Sequence, residues 1–116
     1  MTIRRLKTYT GAPGYVYQYY FVGKRPAPES NANEYIFDVT SDRKMTYAVS
    51  VLLPQNVVTA WAESHGRPLS DSEQYAAVKM RLFRAFDELE NMAVQGRQLQ
   101  IDLASLEAGL GALGVE

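Results

Sequence analysis

Glu34-Tyr35-Ile36-Phe37-Asp38-Val39-Thr40, the turn Ser41-Asp42-Arg43-Lys44, and the return run from Met45 to Leu53 decide the fold. In the first run Tyr35, Phe37 and Val39 share one side. In the return run Tyr47, Val49, Val51 and Leu53 do the same, with Thr46, Ala48, Ser50 and Leu52 opposite. A period of two sets one side of a strand pair against a core and the other toward water. A β-hairpin is expected here, and the rest of the chain has to cover its apolar side.

Upstream, Ile3 to Tyr9 reads as an opening strand. Gly11-Ala12-Pro13-Gly14 joins it to a second strand from Tyr15 to Gly23, since Gly and Pro supply the dihedral angles of a tight connection. Lys24 to Asn33 carries two prolines and no period, and reads as a loop. Downstream of Leu53 the period becomes helical. Pro54 suits a helix start, Val58, Trp61 and His65 fall on one side, and Gly66 is the expected left-handed cap. Ser70-Asp71-Ser72-Glu73 has the form of a capping box. The helix it opens is expected to run to Gly96 with Tyr75, Val78, Leu82, Phe86, Leu89 and Ala93 as its buried stripe. A last helix over 98–112 carries Leu99, Leu103, Leu106, Leu110 and Leu113 at spacings of four and three.

The fold class that follows is α+β: an antiparallel sheet of about four strands in the N-terminal half, in nearly sequential order, covered on one face by C-terminal helices. We expect a single domain over 1–116, with the sheet in 1–53, packing helices in 54–96 and a helix or arm in 97–116. Its core should hold Tyr35, Phe37, Val39, Tyr47, Val49, Val51, Trp61, Val78, Leu82, Phe86 and Leu89.

Composition excludes several classes of function. The 116 residues include 12 Lys and Arg against 13 Asp and Glu, a net charge of −1. No overall basic field exists to hold a duplex or an anionic membrane, although residues 1–53 carry +3 and the remainder −4. Cysteine is absent, which removes disulfides, thiol nucleophiles and iron–sulfur ligation. A lone histidine, His65, removes His-rich metal sites. The mostly apolar run Ala48 to Leu53 is far below the ~20 residues of a membrane span, and no apolar core of a targeting signal follows Met1 to Lys7. A cytoplasmic protein with no membrane partner and no cofactor is expected.

Three groups of residues carry the functional readings. Tyr15-Val16-Tyr17-Gln18-Tyr19-Tyr20-Phe21-Val22 packs five aromatic residues into seven positions. Tyr15, Tyr17, Tyr19 and Phe21 share one face while Val16, Tyr20 and Val22 share the other, so the strand is apolar on both. A sheet with helices on one side and water on the other should not be apolar on both, which calls for a second apolar neighbour: a partner subunit's sheet, or the Pro-containing loop 24–33 folded back. Together with the leucine stripe this marks Tyr15, Tyr17, Tyr19, Leu99, Leu103, Leu106 and Leu110 as an interaction surface. The expected function is a small non-catalytic binding or assembly protein acting as a homodimer. One alternative is a single-stranded nucleic-acid platform on the tyrosine strand, with Arg4, Arg5, Lys7, Lys24 and Arg25 nearby. A second alternative is a metal-dependent hydrolase in which Asp87 and Glu90, three apart on a helix, share a divalent cation. Arg84 before Asp87 and Glu88 favours ordinary surface pairing instead. His65 lacks an orienting partner in sequence and reads as a ring packed on Trp61 near a helix C-terminus, not as a general base.

Overall fold

The computed structural model describes residues 6–115. Five strands form one sheet in the order β1-β2-β3-β4-β5: β1 Lys7–Thr10, β2 Val16–Ala27, β3 Ala32–Thr40, β4 Tyr47–Pro54 and β5 Gln98–Gln100. The first four are antiparallel neighbours, and β5 adds in parallel beside β4. Helices α1 Gln55–His65, α2 Asp71–Glu88 and α4 Leu103–Ala112, with the short turn of helix α3 Met92–Gln95, complete an α+β fold.

The deciding hairpin forms in the expected register, Phe37 opposite Val49 and Tyr35 opposite Val51. Its inward side chains Phe37, Val39, Val49, Val51 and Leu53 are fully buried. Helix α2 starts at the expected capping box: the Ser70 hydroxyl accepts from the Glu73 amide at 3.2 Å, and the Ser70 amide donates to the Glu73 carboxylate at 2.9 Å. Val78, Leu82 and Phe86 close over the sheet from this helix. Gly66 ends α1 at φ 73°, its amide returned to the Ala62 carbonyl. One apolar cluster runs from Tyr17 on β2 to Leu110 on α4. Tyr47 and Leu89, expected inside, are half-buried at its margin.

Three expectations are corrected. The sheet has five strands instead of about four, because 98–100 is strand and not the start of the last helix. Ser50 donates to the Arg97 carbonyl and Ile101 donates to the Leu52 carbonyl, so the open edge of β4 captures this segment. Asp102 then caps α4, accepting from the Ser105 amide at 2.7 Å. Helix α2 stops at Glu88, where Leu89 is already extended, and only the α3 turn follows before Gly96. The expected loop 24–33 is mostly ladder: β2 continues to Ala27 and a 3-10 turn at Pro28–Ser30 hands over to β3. A β-bulge between Phe21 and Gly23 accounts for the missing period, since the extra residue flips which parity faces the core. The opening strand is described from Lys7 onward; its expected start at Ile3 lies outside the described residues, as do Arg4 and Arg5.

Candidate binding surface

The register assigns the two faces of β2. Tyr19 lies opposite Val39 and Phe21 opposite Phe37, so the odd positions face the helices. Tyr17 stacks on Phe86 at 4.3 Å, and Tyr19 packs edge-on to Phe83 at 5.6 Å. Both are buried, at 2 % and 5 % exposure. Tyr15, at the end of the turn, is 54 % exposed. On the C-terminal side Leu99, Leu106 and Leu110 are buried in the same cluster, and Leu103 is exposed. The seven residues marked from sequence are therefore not one outward surface. Tyr17, Tyr19, Leu99, Leu106 and Leu110 dock in cis inside their own chain, and only Tyr15 and Leu103 face out.

The apolar surplus lies on the other face of the sheet. Val16 and Val22 are exposed there, with Tyr20 and Ile36 half-buried beside them. Ile36 pairs with Gly23 across the bulge, which leaves Val22 on the same side. Among the described residues no helix packs on this face. Its polar members are paired with one another: the Tyr20 hydroxyl donates to Asp38 at 2.6 Å, and Arg25 Nε donates to Glu34 at 2.6 Å. The Arg25 guanidinium, then the Ser50 hydroxyl, hold the Glu34 carboxyl below its ordinary range. A groove lined by Arg25, Pro28, Glu34, Leu52 and Gln98 crosses one end. Toward β4 and β5 the face carries Ala48, Ser50, Gln98 and Gln100, with Leu52 buried among them.

The other candidates have structural partners. The His65 ring stacks on Trp61 at 4.0 Å, and its Nε2 lies 3.0 Å from both Glu107 oxygens, joining α1 to α4. The Asp87 carboxylate accepts from the Tyr9 hydroxyl at 2.9 Å and the Ala12 amide at 3.0 Å, pinning the first hairpin to the end of α2. Glu90 lies beyond that helix, so the helical spacing that would aim Asp87 and Glu90 at one cation is not present. Among the described residues no three His, Asp or Glu side chains converge as metal ligands would. No helix among them is long and apolar enough to cross a membrane.

Against family models, curated proteins and solved structures, the chain matches none. Function has to be argued from the surface itself.

Sequence reasoning found the two-sided apolarity of β2 and chose the wrong side as the outward one. Either parity of an all-apolar strand can face the helices. The signal that could have decided it was size: α2 needs large rings beneath it, and the rings Tyr17, Tyr19 and Phe21 outweigh Val16 and Val22.

Proposed function

We propose that the protein is a non-catalytic binding and assembly protein that works as a homodimer, the uncovered sheet faces of two copies meeting across a two-fold axis. The observation that carries this reading is the apolar strip Val16, Tyr20, Val22 and Ile36 on a face that no helix among the described residues covers. The face is carried by strands of 4, 12, 9, 8 and 3 residues and, at about 4.8 by 3.3 Å per residue, spans roughly 570 Å². The β1–β3 part that carries the apolar strip is roughly 400 Å² of this, below the ~800 Å² each partner contributes to a standard interface and the size of a weak, reversible contact. A two-fold axis near β2 would lay the strip on its own copy and leave the polar β4–β5 side in water, the pattern of an isologous contact. Edge-to-edge pairing is the poorer geometry. Beyond Tyr19 the outer side of β2 carries a bulge, Lys24 and Pro26, all devices that discourage strand addition.

Light scattering at two concentrations tests this. The wild-type chain should show twice its own mass, and Val22→Glu with Ile36→Glu should show a single chain with an unchanged circular-dichroism spectrum. A wild-type monomer at high micromolar concentration overturns the proposal. A dimer indifferent to both substitutions refutes this face.

A further inference from the structure

On the helix side of the same edge, three lysines gather around a partly exposed ring. Lys24 Nζ lies over the Tyr35 ring at 5.7 Å, and Lys79 Nζ over the Tyr75 ring at 5.5 Å. The two tyrosine rings are 6.4 Å apart, and Phe21 touches both, at 6.4 Å and 5.0 Å. Phe21 is nevertheless 36 % exposed. Lys7, opposite Tyr19 on β1, stands beside Lys79. Among the described residues none of these lysines forms an ion pair with a carboxylate. Burial, and then the Asp71 carboxylate at the start of α2, raise the pKa of the Tyr35 hydroxyl.

Burial, and then the neighbouring Lys7 ammonium, lower the pKa of Lys79. Two ammonium groups side by side without a counter-charge repel, and an anion between them removes that repulsion. Charge alone would suit any polyanion. A partly exposed aromatic ring among the lysines suits a flat partner, and base stacking on aromatic side chains is the means by which single strands are held without sequence preference.

We infer that this cluster is a binding site for single-stranded nucleic acid, a base stacking on Phe21 and flanking phosphates meeting Lys7, Lys24 and Lys79. The site is independent of the proposed dimer face, because Phe21 and the Val16–Ile36 strip lie on opposite sides of the sheet.

Fluorescence anisotropy of a labelled oligothymidylate with the full chain tests it. With three phosphates neutralised, affinity should fall about twentyfold between 50 and 200 mM salt. Lys24→Gln with Lys79→Gln should flatten that salt dependence. Phe21→Ala should weaken binding about tenfold. Phe21→Leu keeps the apolar packing without the aromatic face, so an equal loss there with unchanged thermal unfolding separates stacking from misfolding. Ile36→Glu, which tests the dimer, should leave binding in place. Absence of binding at 50 mM salt overturns the inference. So does equal affinity for inorganic polyphosphate, or indifference to both Phe21 substitutions.

Discussion

Phe86 is where helix and sheet are joined most tightly. It is fully buried, with Tyr17 stacked on its ring and Tyr9, Tyr19 and Phe83 around it. Phe86→Ala should cost about 3–5 kcal/mol, the loss of a buried ring plus the cavity it leaves. Arg84, two residues away, is exposed and paired with Glu88 at 3.0 Å, so Arg84→Ala should stay within about 0.5 kcal/mol. Urea titration of the two variants measures the contrast. Gly11 meets the same region from the first hairpin. A Cβ built there would stand 2.5 Å from the Phe86 carbonyl oxygen, and a backbone atom cannot swing aside. Gly11→Ala should therefore destabilise by about 1–3 kcal/mol in the same titration, by overpacking.

At the scale of elements, α2 depends on its first turn. Glu73 caps the Ser70 amide and also receives a bidentate contact from Arg67, at 3.0 and 2.9 Å. The Arg67 guanidinium, then the Ser70 amide, pull the Glu73 carboxyl from 4.5 to about 2. The folded value lies below the unfolded one, so this stabilisation is complete above pH 4.5 and is lost as pH falls toward 2. Thermal melts across that window should show the midpoint dropping with acid, and Glu73→Gln should reduce the drop. Ser70→Ala removes the other half of the box and should cost about 1 kcal/mol at neutral pH. The neighbouring elements were less legible. Nothing near Lys24 marks it as strand, because two prolines and a bulge erase the period that would have revealed it.

For the whole molecule, the C-terminal segment decides whether the core is complete. Leu99, Ile101, Leu106 and Leu110 from β5 and α4 sit in the cluster that holds Trp61 and Leu82. Each buried aliphatic side chain contributes on the order of 1.5–3 kcal/mol, so removing four approaches the entire stability of a domain of this size. A chain truncated after Gly96 should lose its cooperative unfolding transition in circular dichroism. A truncated chain that melts like the parent would show that this segment is an arm and not a layer of the core. Tyr17→Glu or Tyr19→Glu should likewise unfold the protein, which makes the uncovered face the proper place to probe self-association.

The β3–β4 hairpin, the capping box of α2, the Gly66 cap and the α+β class were legible in the sequence. Each depends on side chains within a few positions of one another, where period and cap chemistry act directly. The remaining features depend on distant partners. The free edge of β4 turned 98–100 into a strand despite a helical spacing of leucines. The β3 segment Ala32 to Ile36 drew β2 past Gly23 to Ala27. Helix α2 settled which apolar face of β2 was covered, because its Phe83 and Phe86 needed aromatic rings beneath them. Tertiary structure alone decided these, since an edge, a bulge or a covered face belongs to a pair of elements and neither member carries it by itself.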